Sequence, residues 1–426
     1  MTSTAQKAEK KADLKTPPTP FLDALKDMDN PHRRKEFDAG ELMPDAPAGA
    51  DIDYEHALKF LYGYNGSTAT FNAYRRELER LLQWSWRIER RAAHGLARED
   101  IEEFIRFSLA PPPAWIGTVH APRFAVDQGE RKPNPKWRPF VASLSKTESK
   151  TGRKPDAKSY RSSQSAVRAT FTALSSFYDY LTEENVISAN PVALIRQKSK
   201  FIKRDQNAAV VRRISNLQWD YVIETAEMLA NDDPPTHERT LFIMNCLFAL
   251  YLRISELVAD ERSAPVMGDF RKDQDGAWWF HVTGKGNKDR TVTVSDAMLD
   301  ALKRYRGALG LSPLPSINEH TPLIAKSRGT GPVTSTRQIR RIVQDCFDAA
   351  FERMKSDGLV DDAMELRAAT VHWLRHTGIS EDVKIRPREH VRDDAGHASM
   401  ATTDRYIESD RRERHASARK KPLRDL

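Results

Sequence analysis

Read from its amino end, the chain shows no regular hydrophobic spacing until about residue 50. Residues 1–50 are rich in Lys, Asp, Ala and Pro and predict a flexible arm, loosely docked at most. Apolar positions then recur at helical intervals. Leu58, Leu61 and Tyr62 share one side of a helix predicted over 54–64. Asn65-Gly66 interrupts it, and Ser67 or Thr68 can cap a second helix in which Phe71, Tyr74, Leu78, Leu81 and Leu82 recur. The string AREDIEEFIRFSL over 97–109 predicts a third. From 110 to about 160 the periodicity stops. PPPAW, RKPNPKWRPF and KTGRKPDAK are runs of Pro, Lys and Arg with a few aromatic anchors, a long basic insertion. Helix resumes near Ser162, with Val167, Phe171, Leu174, Phe177, Tyr178 and Leu181 on one stripe, and Asn190-Pro191 ends the unit.

Residues 196–213 (RQKSKFIKRDQNAAVVRR) lack apolar periodicity and read as a basic linker. Beyond them, helices are predicted over 217–231 and 237–260. AWWFHVT (277–283) alternates apolar and polar residues, 284–289 turns and TVTV (291–294) returns, which predicts a β-hairpin. Ser295 or Asp296 caps a helix to Leu309, and Thr334 or Ser335 caps one to about Met354. Helical segments with His372 and Tyr406 close the pattern. The expected fold is mainly α with a small β-sheet in an α+β C-terminal domain. The expected order is arm 1–50, helical domain 51–195 with the insertion at about 110–160, linker 196–213, α+β domain 214–410 and basic tail 411–426.

Composition adds a partner class. The chain has 426 residues, 39% hydrophobic and 30% charged, so part of it is expected to stay solvated. A net charge of +8 and a pI near 9.3 suit a polyanion, because Lys and Arg displace counterions from phosphates. The basic insertion reads first as a solvated loop and otherwise as a direct DNA contact, and the linker as a tether lying along phosphates or an ordinary solvated linker. Cys246 and Cys346 sit in apolar helical runs (MNCLFAL, VQDCFDAAF) and read as buried free thiols in a reducing cytoplasm. No apolar run approaches the roughly 20 residues that span a bilayer. MTSTAQKAEKKADLK lacks the apolar core of a signal peptide, so a soluble intracellular protein is expected.

Four short strings carry candidate chemistry. In LFALYLRISELVAD, Leu247, Leu250, Tyr251, Ile254, Leu257 and Val258 form an apolar stripe, with Arg253 and Glu256 three apart off it. Alone they are a surface ion pair. In GKGNKDR, Lys285 lies between two glycines at the hairpin tip, where the backbone can approach a ligand. The string lacks the GxxxxGK[ST] pattern of a nucleotide-binding loop. In VHWLRHTG, His372 and Arg375 share a helix face, and His372 and His376 stand at metal-ligand spacing. Trp373 stands where a zinc peptidase needs Glu, and no third-ligand pattern follows, so no metal is expected. In AGHASMATTDRY, His397 precedes Tyr406 by nine residues.

Taken in order, Arg…Lys…His-x-x-Arg…His…Tyr, these strings resemble the tyrosine site-specific recombinase, or phage integrase, family. LYLRISEL, VTGKGNKDRTVTV, HWLRHT and GHASMATTDRY carry the resemblance over about 217–408. It extends more loosely to the preceding helical region, where LSSFYDYLTEENVISANPV resembles the last helix of the family's core-binding domain. The resemblance implies that Arg253 and Arg375 hold a scissile phosphate. It implies that Lys285, on the hairpin, protonates the leaving 5′ oxygen. His372 and His397 would bond the phosphate or assist proton transfer, and Glu256 would orient the site. Tyr406 would attack phosphorus and form a 3′-phosphotyrosine.

The same resemblance implies site-specific DNA recombination for a mobile element, by integration, excision or resolution, with no metal, ATP or other cofactor. The implied partner is double-stranded DNA, bound by a tetramer on two sites that is a monomer or dimer when free. It leaves room for an accessory DNA-bending protein or a second recombinase, and places the chain with DNA in a bacterial cytoplasm. Two other readings share these residues. One is a non-catalytic DNA-binding protein on the same scaffold, which has no need of Tyr406. The other is a type IB topoisomerase-like enzyme or hairpin resolvase, which shares the chemistry. Two segments depart from the family pattern. TGISEDVKIRPREHVRDDAG, between His376 and His397, is polar and contains Pro387, and 356–370 is enlarged.

The residue types suit the chemistry on their own terms. Charge builds on the non-bridging oxygens of a phosphodiester under attack, and two guanidiniums neutralise it with paired hydrogen bonds. A phenol with a pKa of about 10 must lose its proton as it attacks. An alkoxide leaves only if protonated, and the covalent intermediate retains the energy needed to reseal the strand.

Overall fold

Helices form in the first part of the chain where the apolar spacing puts them. In the computed structural model, which describes residues 14–33, 36–144, 148–149, 152–193, 195, 201, 212–261, 263–283, 289–404, 406 and 418–419, the chain divides into two compact units, 1–204 and 205–426. The first unit has α1 (Ala50–Tyr62), α2 (Thr68–Trp84), α3 (Arg98–Leu109) and α4 (Gln164–Glu183). Leu58 and Leu61, Phe71 and Leu78, Ile101 and Phe104, and Phe171 and Phe177 all bury in one core. The Ser163 hydroxyl caps α4 by accepting from the Ala166 amide at 3.1 Å.

Two expectations for this unit change. The arm, expected to be loose, is packed where it carries adjacent apolar residues. Phe21 and Leu22 are buried, and their amides donate to the Glu79 carboxylate of α2 at 2.8 and 3.1 Å. Phe21 also stacks on Trp86 with ring centroids 5.2 Å apart. The insertion is more than a loop. β1 (Ile116–Gly117) pairs parallel with β4 (Phe140–Val141), and β2 (Phe124–Asp127) pairs antiparallel with β3 (Glu130–Pro133). Gln128 and Gly129 turn this hairpin with φ of 49° and 85°, the positive pair that a two-residue hairpin turn needs. Trp115, Trp137 and Phe140 anchor the segment in the core. Some of its basic residues work inside the unit: Arg123 meets Glu79 at 2.7 Å, and Arg131 pairs with Asp23 and Asp27 of the arm.

The second unit opens with α5 (Asn216–Asp232), capped by the Ser215 hydroxyl, and α6 (Pro234–Ala249). A three-stranded antiparallel sheet follows: β5 (Phe270–Lys272), β6 (Trp278–Thr283) and β7 (Asp289–Thr293). Register pairs Phe280 with Val292, and Phe280, Val282 and Val292 alternate into the core. β5 is too short to show as a pattern in the sequence. The tip that joins β6 to β7, with Lys285, lies outside the described residues, as do the tail apart from 418–419 and most of the linker. Then come α7 (Asp296–Ala308), α8 (Thr336–Ser356), α9 (Val360–Leu366), α10 (Val371–Ile385), α11 (Arg388–Ala395) and α12 (Met400–Asp404). Cys246 and Cys346 are free and buried in this core. Burial raises both thiols, Cys346 to about 12. No helix of the described residues is long and apolar enough to cross a membrane.

The helix expected over 237–260 stops at Ala249. Tyr251 turns to a φ of 48°, Arg253 is extended, and one 3-10 turn covers Ile254–Glu256. The apolar spacing runs on without a Gly or Pro to mark the break, because Leu250, Tyr251 and Leu252 are buried consecutively. α6 and α10 approach so closely that a Cβ on Gly378 would sit inside the radius of the Phe248 carbonyl oxygen. Gly378→Ala is therefore expected to destabilise the chain by about 3 kcal/mol, because the obstacle is backbone. Urea unfolding checks this, and an unchanged midpoint would refute the close approach.

Candidate active site

The break after α6 creates the site. The left-handed φ of Tyr251 is strained for a bulky residue. It is held by the buried ring and by the hydroxyl, which bonds Asp382 of α10. The twist aims the Tyr251 carbonyl at Arg375, whose Nη1 donates to it. The Arg375 Nη2 donates to the Ala395 carbonyl at 2.5 Å, so two carbonyls fix the guanidinium plane. Arg375 is 3% exposed. Burial, then the neighbouring Arg253, lowers its pKa to about 10, which leaves it charged at neutral pH.

Arg253 stands on the next turn, and Glu256 serves it twice. The carboxylate accepts from the Arg253 amide and from its Nη1, both at 2.8 Å. The same carboxylate takes both terminal nitrogens of Arg290 from β7 at 2.8 Å. Burial opposes the charge on Glu256, but Arg290 and Arg253 outweigh it and hold its pKa below the usual carboxylate range. The Arg290 Nε donates to the Asp394 carbonyl at 3.1 Å. One arginine thus ties the sheet, the Arg253 turn and the end of α11 together.

The polar segment between His376 and His397 packs through ion pairs where the family pattern suggests an apolar stripe. Arg386 bridges Asp382 at 2.9 Å and Asp394 at 2.6 Å. Asp394 also accepts from the amide and hydroxyl of Thr293 on β7 at 3.1 and 3.2 Å. Pro387 stands at the N-cap of α11, where its missing N–H costs nothing. Gly396 ends α11 with φ 63°, and a Cβ there would meet the Arg290 side chain at 2.8 Å.

That turn delivers His397 to Tyr406. Nδ1 of His397 bonds the Thr403 hydroxyl at 2.9 Å, and its ring stacks on Tyr406 with centroids 5.6 Å apart. Tyr406 is 8% exposed and packs with Tyr251, Ile379, Val391 and Ala395. Its hydroxyl lies 2.6 Å from Nδ1 of His376. His372, one turn earlier and exposed, meets the His376 ring edge-on at 4.3 Å. All three imidazoles have lowered pKa values. For His376 the causes are burial, then His372, Arg375 and His397, and the value falls to about 4. For His397 they are burial, then Arg375, Arg253 and Arg290, again to about 4. For His372 they are partial burial, then Arg375 and Arg253.

The structure therefore places Arg253, Glu256, His372, Arg375, His397 and Tyr406 in one site. Lys285 lies outside the described residues. Sequence reasoning missed Arg290, His376 and Tyr251. His376 has metal-ligand spacing to His372, but its Nδ1 faces a phenol. The arrangement is a phenol among neutral imidazoles and guanidiniums, with Glu256 facing the arginines. It suits an entering anion of phosphate type.

The same imidazoles set an acid limit. Unfolded, His376 and His397 take up a proton near 6.5; folded, only near 4. Between those values the unfolded chain binds more protons, so their contribution is complete above about pH 6.5 and is lost as pH falls toward 4. Thermal unfolding is expected at a lower temperature at about pH 5 than at about pH 7.5. Equal midpoints would mean these rings titrate as free histidines.

No family model matches the chain. Tyrosine recombinase XerC of Thermodesulfovibrio yellowstonii is 29% identical over 262 residues, 58% of this chain and 72% of that protein. Tyrosine recombinase XerC of Chlorobaculum parvum is 24% identical over 257 residues, 57% of this chain and 68% of that one. Among solved structures, XerH site-specific recombinase bound to palindromic difH substrate, a post-cleavage complex, matches with a TM-score of 0.54. The match covers 87% of this chain and 85% of that one at 15% identity, a likeness of fold.

Proposed function

The chain belongs to the tyrosine site-specific recombinase family, and on that premise we propose that it cuts and rejoins double-stranded DNA through Tyr406 to move or resolve a mobile element. The observation that carries the reading is the lodging of one phenol between His376 and His397, with Arg375 close enough to act on both rings' titration and Arg253 on that of His397. A phosphodiester entering there meets two guanidiniums held from behind. Carbonyls fix Arg375 and Glu256 fixes Arg253, so neither reorganises as charge builds on the phosphate oxygens.

The Tyr406 oxygen attacks phosphorus and the P–O5′ bond breaks. His372 and His397 bond the non-bridging oxygens, and Lys285, in the segment joining β6 to β7, protonates the leaving 5′ oxygen. The 3′-phosphotyrosine keeps the bond's energy, so attack by a 5′ hydroxyl from a second duplex reseals the strand with no cofactor. Four protomers on two DNA sites give the geometry for that exchange. Residues 51–195 form the core-binding domain, 196–213 the linker and 214–410 the catalytic domain.

The test is covalent capture. The chain is incubated with a supercoiled plasmid carrying the DNA that flanks its gene and quenched with detergent, and DNA-linked peptides are mapped by mass spectrometry. An adduct on the peptide containing Tyr406 is expected. Tight binding with no adduct would favour a non-catalytic DNA-binding protein on this scaffold. Strand exchange between two sites separates recombination from nicking and resealing.

A further inference from the structure

We propose that His376 is a further catalytic residue: its Nδ1 holds the Tyr406 hydroxyl and takes the phenolic proton as the oxygen attacks the phosphate. The inference rests on Tyr406 being the nucleophile. It stands first on geometry. The 2.6 Å separation is at the short end for a hydrogen bond to a hydroxyl, and it joins residues 30 apart in sequence. The ring has little freedom to turn away. It lies between the near-perpendicular ring of His372 and the tilted ring of Tyr406, at centroid distances of 4.3 and 5.3 Å. It rides on α10, whose place against α6 is fixed two residues later by the contact of Gly378 with Phe248.

Burial and the charge pattern keep the ring neutral. His372 and Arg375 face His376 from its own helix, and His397 and Tyr406 face it from the segment after α11. Among the described residues no carboxylate faces the ring, and the imidazole is neutral at physiological pH. The proposed step uses the tautomer with the hydrogen on Nε2, in which Nδ1 offers its lone pair and the phenol donates. A substrate phosphate held by Arg253 and Arg375 brings negative charge beside the ring and offsets the cations that disfavour its protonation. His376 is thus a weak base in the free chain and a stronger one once DNA is bound. In the step itself the Tyr406 oxygen bonds to phosphorus and its proton moves to Nδ1. The P–O5′ bond breaks and the 5′ oxygen takes a proton from the general acid. The reverse step returns the proton from Nδ1 to the phenol.

The test uses the full chain and a duplex carrying its mapped cleavage site, made with oxygen or with sulfur at the bridging 5′ position. A thiolate leaves without a proton, so sulfur relieves the loss of a general acid and does nothing for the loss of a base. His376→Phe is expected to retard the duplex as the parent does, and to form the adduct about 100-fold more slowly or worse. Its rate should rise with pH where the parent's is flat, and sulfur should not rescue it, although sulfur should rescue Lys285→Ala. His376→Asn puts an amide oxygen where Nδ1 stood. It accepts the hydrogen bond without taking the proton, so it should recover only part of the rate. A His376→Phe rate within about threefold of the parent, or rescue by sulfur as complete as for Lys285→Ala, overturns the proposal. Cleavage by Tyr406→Phe would instead overturn the nucleophile reading beneath it.

Discussion

Tyr406→Phe is expected to bind DNA as tightly as the parent chain and to form no covalent adduct. The substitution removes one oxygen. The ring keeps its packing among Tyr251, Ile379, Val391 and Ala395. Nδ1 of His376 loses its hydrogen-bond partner by the change, at roughly 1–3 kcal/mol if water does not replace the hydroxyl. The fold should survive that. Catalysis should not, because the oxygen removed is the proposed nucleophile. Detergent-resistant complexes resolved on a gel, beside retardation of the same DNA under native conditions, separate the two effects. An undiminished adduct would move the nucleophile elsewhere, and loss of binding together with the adduct would mean that the hydroxyl supports the fold.

Arg375→Ala should show the second large effect, in two measurements at once. The guanidinium is the most enclosed cation among the described residues of the site, and adduct formation is expected to fall by about a thousandfold or more without it. Its two main-chain partners, the carbonyls of Tyr251 and Ala395, lose their donors in a buried setting, which should lower stability by about 2–3 kcal/mol. Arg375→Lys tests the shape of the group: an ammonium restores the charge but cannot satisfy both carbonyls while facing a phosphate. Recovery of the rate by lysine would show that charge alone is needed. A rate loss in Arg375→Ala without any fall in the urea midpoint would show that the carbonyls find other partners.

Much of the fold was legible in the sequence because the helical spacing holds. Ser295 caps its helix as expected, whereas Ser67 and Ser335 stand at the starts of theirs without a side-chain cap bond, and Ser163 and Ser215 cap helices whose caps were not named from the sequence; the 277–294 hairpin keeps its alternation. The misses have a common cause, which is tertiary contact acting on a pattern that local rules read differently. At Tyr251 an unbroken apolar run hides a backbone reversal, because Asp382 and Arg375, more than a hundred residues away in sequence, hold it there. Phe21 and Leu22 are two apolar residues in a polar arm, too few for a periodicity, yet enough once Glu79 takes their amides. In the site, the residues with a motif were found by order along the chain. Arg290 and His376 lay inside the same motifs and stayed unremarked, since their roles appear only when strand β7 meets Glu256 and α10 meets Tyr406.

The two thiols lead to a practical consequence. Cys246 and Cys346 are the chain's only cysteines, and both are buried and free. Burial keeps them in the thiol form, so neither presents the thiolate that maleimides and iodoacetamides attack. A cysteine placed at an open position such as Ile385, 82% exposed, would be the one fast-reacting sulfur on the folded chain. Fluorophores and spin labels could then be attached without first deleting native residues, and distances to labelled DNA could be followed during strand exchange in a protein whose core is untouched.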